Sequence, residues 1–252
     1  MSAHDFQLIV IAWIVLGLAL VPIQLFVTAP FGRHVSRKWG PMIGNRAGWI
    51  IMEAVSPLVL WTSFWLAGAN GSLPVLVLMG LWTAHYVNRA LVYPLRTNTA
   101  GKQIPLFIVA SAIAFNSGNG WSNGTYFGAG WDGYTNGWFL DPRFLAGVAI
   151  MAIGAAINLQ SDNILLRLRA GDEGGYRIPH GGLFERVSCP NFLGEIIEWT
   201  GFAIACWSLP ALGFAVWTAA NLIPRAISHH RWYKRQFVDY PPQRRALIPD
   251  LI

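Results

Sequence analysis

Ionisable side chains inside apolar runs are the positions where this 252-residue sequence could do chemistry. Each costs at least a few kcal/mol at a bilayer centre and so normally faces a protein interior or a cavity. Glu53 lies in one such run, with Trp49 and Ser56 on its helical face. In the next, Trp82, Tyr86, Arg89 and Tyr93 recur at spacings of 4, 3 and 4, a single helical stripe with His85 and Asn88 beside it. Asn158, Asp162 and Arg169 form a third stripe, Asn191, Glu195 and Glu198 a fourth, and Arg225, His229 and Tyr233 repeat every four residues near the end of the chain. Such stripes can act as interhelical glue, carboxylates paired to arginines and amides to backbone. They can equally line a charged cavity, and the segment from Arg167 to Arg186 brings Arg169 and Arg177 beside Asp172 and Glu173. That composition suits a large anionic cofactor whose phosphates arginines grip bidentately. No metal site is expected, because only His229 and His230 adjoin and they point apart on a helix. A G-x-S-x-G nucleophile motif is missing as well.

The elements that must carry these stripes follow from composition. The chain is 54% hydrophobic and 12% charged, with a mean hydropathy of +0.41, about half the charge of a soluble domain. It belongs in a bilayer. Six apolar stretches run from Phe6 to Val27, Ala47 to Gly68, Leu73 to Tyr93, Phe144 to Leu166, Phe192 to Trp207 and Leu209 to Ile227. The first follows His4 and Asp5 rather than a basic segment and has no small-residue cleavage site, so it reads as a mature helix, not a signal peptide. Ile104 to Phe115 is too short for hydropathy to classify, and charge decides. With seven spans and the N-terminus outside, 16 of the 18 basic residues fall on the inner side, leaving Arg89 and Arg143; six spans would scramble the count. The expected fold is all-α, a single-domain integral membrane bundle of seven transmembrane helices over residues 1–252, N-terminus outside and C-terminus cytosolic. The net charge of +6 then reads as an orientation signal and an attraction to anionic headgroups, not a nucleic-acid surface.

Tryptophans such as Trp39, Trp131 and Trp138, near span ends, are expected as interface anchors. Ser117 to Pro142, rich in Gly, Asn and Trp, is expected as an outside segment. Its Gly118, Gly120 and Gly124 match a dinucleotide loop poorly, for want of the strand and helix that must flank one. Cys189 and Cys206 are too few for a disulfide framework and read as free thiols.

Three groups of residues carry a resemblance. They are Tyr176-Arg177-Ile178-Pro179 with Gly181-Gly182-Leu183-Phe184, the run from Asn191 to Trp199, and the tail with His229-His230-Arg231, Asp239-Tyr240-Pro241 and Ala246-Leu247-Ile248-Pro249. Together with Ala29 to His34, Glu53 and His85 to Tyr93, the chain resembles the steroid 5α-reductase family (3-oxo-5α-steroid 4-dehydrogenase), in a bacterial-type form. The resemblance implies seven membrane helices and NADPH-dependent reduction of the 4,5 double bond of 3-oxo-Δ4-steroids, with hydride going to the β-carbon and a proton to the α-carbon. It implies that Glu53 and Tyr86 polarise the carbonyl, where donors stabilise enolate charge; a glutamate enclosed in hydrocarbon is expected protonated, hence a donor. It carries NADPH binding onto Arg33, Asn158, Asp162, Arg169, Tyr176, Arg177, Asn191, Glu195, Arg225, His229 and Tyr233, with Arg169 or Arg177 at the phosphate that separates NADPH from NADH.

It further implies a lipid-soluble steroid-like substrate and a monomer in the bilayer, in the inner membrane of a bacterium or the endoplasmic reticulum of a eukaryote. Ser228 and the stretch from Arg96 to Pro105 depart from the family pattern, which puts phosphate contacts at that turn in question. Reductases of polyprenol or enoyl-CoA type share the architecture. An isoprenylcysteine-type methyltransferase shares a Pro190-to-Glu195-like stretch, but its cofactor has no phosphate for the arginines. A transporter or lipid-binding bundle would leave the Glu53 and Tyr86 pair unexplained.

Overall fold

The computed structural model describes residues 1–131, 133–169 and 175–252, with the Arg169 side chain excepted. Among the described residues the chain forms seven long helices: α1 Ala3–Phe26, α2 Asn45–Leu66, α3 Leu73–Arg96, α4 Leu106–Ala129, α5 Pro142–Arg169, α6 Pro190–Cys206 and α7 Leu209–Gln236. Four of them, α1, α2, α3 and α5, are long and apolar enough to cross a membrane, which agrees with a membrane protein of mostly helical fold. α1 starts on a capping box between Ser2 and Asp5 and buries only Phe6, Val10 and Gly17, so most of its apolar surface faces outward.

The short antiparallel pair β1 (Met42–Gly44) and β2 (Gln103–Pro105) aligns Met42 with Pro105 and Gly44 with Gln103. Each strand runs directly into a helix, and α2 and α4 run parallel, with Gly120 beside Ser56, Gly124 beside Leu60 and Gly128 beside Phe64. Their contact is a glycine seam: a Cβ at Gly120, Gly124 or Gly128 would fall closer than 3.0 Å to the backbone of Ser56, Leu60 or Phe64. Small residues every fourth position let membrane helices approach this closely.

This seam corrects the expectation of an outside segment from Ser117 to Pro142, since α4 continues to Ala129. Its amides resemble loop residues in sequence, but their NH2 groups all donate to backbone carbonyls within the fold. Asn116 donates to the Met52 carbonyl at 2.6 Å, Asn119 to Phe115 at 2.8 Å, and Asn123 to Asn119 at 3.0 Å and Pro210 at 3.3 Å. A second seam joins α5 to the antiparallel α6, where Gly147 and Gly154 meet the α6 backbone and Gly194 and Gly201 meet the α5 backbone.

α3 widens into a π turn at Asn88–Val92, a feature frequent at functional sites, and the Trp49 indole donates to the Arg89 carbonyl there at 3.1 Å. Between the two seams Trp82 packs edge-on against Trp199 and Phe202 and lies over Phe214. Cys189 and Cys206 are free and buried.

Candidate active site

A cavity of about 630 Å³ opens at the end of the bundle that carries the β-strands, within the size range of small-molecule sites, about 300–1,000 Å³. Its walls are the loop after α1, the first turns of α2 and α6, the last turns of α3, α5 and α7, and the segment after residue 174. Eight of the residues expected to hold a cofactor line it: Arg33, Asp162, Tyr176, Arg177, Asn191, Arg225, His229 and Tyr233. Asn158 and Glu195 stand one helical turn farther in, and Asn158 donates to the Asn191 carbonyl at 2.9 Å, tying α5 to α6. The Arg169 side chain, and Asp172 and Glu173, lie outside the described residues.

Arg33 is held as a flat cation among rings, 4.4 Å from the centroid of Tyr233, 4.8 Å from Trp232 and 5.4 Å from Tyr176. Its Nη2 donates to the Tyr233 hydroxyl at 3.2 Å, while its buried Nη1 has no hydrogen-bond partner among the described residues. Arg225 lies over the Phe31 ring and donates to the Ala29 and Phe31 carbonyls at 3.4 and 3.3 Å. His34 and His229 share a hydrogen bond at 3.1 Å. Burial, with Arg225, Arg33 and Arg235 nearby, pushes the His34 imidazole down to about 4. At the mouth of α6, burial pushes the Cys189 thiol up to about 12, which makes it a poor nucleophile.

Arg37, Arg46 and Lys102 add further positive charge from the strand side of the cavity. Sequence reasoning passed over them because they lie outside the apolar runs, where a basic residue reads only as topology. A buried guanidinium nitrogen without a partner, in a cavity whose described lining holds many cations and one acid, Asp162, is what a phosphate-bearing nucleotide would complete. The residues present therefore fit a dinucleotide such as NADPH.

The second cluster begins where the cavity lining ends. On α2 and α3 the innermost lining residues are Trp49 and Arg89; one turn beyond them stand Glu53 and Tyr86. Tyr86 is buried, lies nearly parallel to the Trp82 ring at 5.8 Å, and donates from its hydroxyl to the Asn116 side-chain oxygen at 3.1 Å. Glu53 meets Asn116 as well, with Arg89, Glu195 and His85 as charged neighbours. His85 and Glu198 pair at 2.8 Å, both buried. Arg89 joins the clusters, reaching Asp162 at 3.3 Å and Glu195 at 3.9 Å with its face over Trp49 and Tyr93. Asn116 escaped the sequence reading because it falls just past the apolar run that ends at Phe115.

A buried cluster of donors one turn beyond a basic, nucleotide-sized cavity is suited to polarising a double bond for reduction. The family model described as 3-oxo-5-alpha-steroid 4-dehydrogenase matches residues 102–252. The chain is 42% identical over 238 residues to 3-oxo-5-alpha-steroid 4-dehydrogenase 2 of Homo sapiens, covering 92% of each chain. It is 37% identical over 241 residues to 3-oxo-5-alpha-steroid 4-dehydrogenase 1 of Bos taurus, with 94% of this chain and 93% of the relative covered. Steroid 5-alpha-reductase DET2 of Gossypium hirsutum is 39% identical over 231 residues, 89% of this chain and 88% of its own. Since the match extends over most of the length on both sides, the chain belongs to the 3-oxo-5-alpha-steroid 4-dehydrogenase family of membrane oxidoreductases.

Proposed function

We propose that the protein reduces the 4,5 double bond of 3-oxo-Δ4-steroids with NADPH. The observation that carries this reading is the bridge at Arg89, which lines the basic cavity and contacts Asp162 and Glu195 one turn from Tyr86 and Glu53. Bound NADPH would supply hydride to the β-carbon of the enone.

The protein's part is to hold and polarise. Arg33, Arg177 and Arg225, with Arg37, Arg46 and Lys102, provide the charge that binds the phosphates. Arg169 belongs to the same set by family resemblance, and Asn158 and Glu195 brace the inner end. Asp162, Asn191, Tyr176, His229 and Tyr233 provide the polar and aromatic wall. The Tyr86 hydroxyl and Glu53 carboxyl donate to the C3 carbonyl as negative charge builds on its oxygen. Asn116 orients both, and the rings of Trp82, Trp199, Phe202 and Phe214 keep water out.

The same reading has seven spans, the N-terminus outside, the basic cavity open to the cytosol and a monomer in the bilayer, with the inner membrane or endoplasmic reticulum as host. The test is to incubate purified protein and NADPH with a 3-oxo-Δ4-steroid, a polyprenal and an enoyl-CoA. Uptake of two hydrogens by the steroid with a 5α product supports the reading; turnover of only the other acceptors overturns it.

A further inference from the structure

Reduction of an enone requires a proton at the α-carbon in addition to hydride and a polarised carbonyl, and the buried cluster around Tyr86 holds one pair of groups with no part in the steps above. His85 and Glu198 are paired at 2.8 Å through Nδ1 and Oε1, with side chains only 7% and 4% exposed. A buried ion pair is weak evidence for stability, since desolvation offsets the attraction; burial beside a reactive site is better explained by use. Glu53 of α2 has His85 among its charged neighbours, Tyr86 and Arg89 come from α3, and Glu195 and Glu198 from α6, with Asp162 of α5 bound to Arg89.

Within this set the roles separate. Arg89 answers Asp162 and Glu195 and cannot release a proton, and the Tyr86 hydroxyl and Glu53 carboxyl are already assigned to the C3 carbonyl. His85 is the side chain suited to exchange a proton near neutral pH. Its Nδ1 is taken by Glu198, and its Nε2 makes no hydrogen bond to the described residues. The ring meets Tyr86 edge-on at 5.2 Å between centroids.

We propose that His85, oriented and charged by Glu198, is the acid that protonates the α-carbon. This rests on the reductase reading above. As the β-carbon takes hydride from NADPH, the double-bond electrons move onto the carbonyl oxygen as enolate. The enolate then re-forms the carbonyl while its α-carbon takes the proton from His85 Nε2, breaking that N–H bond. The neutral imidazole is recharged by water from the cavity, along Glu195 and Glu198, which lie one turn apart on α6.

The test compares wild type, His85→Gln and Glu198→Gln in three measurements: NADPH affinity by quenching of tryptophan fluorescence, the pH profile of kcat, and the solvent deuterium isotope effect. Both variants are expected to bind NADPH within about twofold of wild type. For His85→Gln, kcat should fall roughly a hundredfold, the scale of general-acid catalysis, and the alkaline limb of the profile should vanish. For Glu198→Gln, which keeps the hydrogen bond and loses the charge, that limb should move to lower pH. Unchanged profiles in both variants with active wild type overturn this assignment alone. Failure of wild type to reduce any 3-oxo-Δ4-steroid overturns the reductase reading and this assignment with it.

Discussion

The Tyr86 hydroxyl donates to the Asn116 side chain at 3.1 Å, and Asn116 is in turn fixed by its own bond to the Met52 carbonyl at 2.6 Å. A tyrosine on α3 is thus aimed by a residue of α4 that is anchored on α2. Replacing Asn116 with Ala should lower kcat about tenfold or more by freeing the phenol, with NADPH affinity unchanged. Steady-state kinetics beside a nucleotide titration would show it; an equal loss in both would assign Asn116 to folding alone.

Glu53→Gln and Tyr86→Phe should both bind NADPH nearly as wild type does and lose reduction by roughly 10²–10³, the usual effect of deleting one donor to a developing oxyanion. Comparable turnover in either variant would remove that residue from the carbonyl site.

Arg33→Ala removes a half-buried cation that three rings enclose. With charged hydrogen bonds worth about 1.5–3 kcal/mol, the NADPH dissociation constant should rise roughly ten- to hundredfold with little change in steroid KM. A larger change in steroid KM than in nucleotide affinity would argue against a phosphate contact.

His34 has its imidazole held down to about 4 against an ordinary 6.5 by burial and three nearby arginines. The unfolded chain therefore binds the proton first, so stability present above about pH 6.5 is lost as pH falls through about 4. Melting curves of nucleotide-free protein across that window should fall more steeply for wild type than for His34→Gln. Parallel slopes would show that other groups set the acid response.

Gly124→Leu should cost stability outright, because even a Cβ there meets the Leu60 backbone and overpacking typically costs about 1–3 kcal/mol. The melting temperature in detergent is the readout, and an unshifted value would mean that the α2–α4 seam yields easily.

The polar stripes were legible in the sequence because an acid or arginine in an apolar run is conspicuous. Arg33, Asp162, Tyr176, Arg177, Asn191, Arg225, His229 and Tyr233 do come to one cavity. What escaped had no such contrast. The second half of α4 reads as a loop because hydropathy registers its Gly and Asn as polar or breaking, whereas the fold uses them for backbone contact and for amide donors bound to carbonyls inside the bundle. Arg46 and Lys102 sit where positive charge already had an explanation in orientation. The His85–Glu198 pair joins residues 113 positions apart, a distance no periodicity spans.

The two glycine seams divide the molecule mechanically. α2 with α4, and α5 with α6, each behave as a double-width plank whose backbones touch and cannot slide without collision. Glu53 and Asn116 ride on one plank, Asp162, Glu195 and Glu198 on the other, so the spacing within each set is fixed. A bulky acceptor can be admitted only by moving what lies between or around the planks, and α1, with three buried residues, is the helix that would yield at least cost.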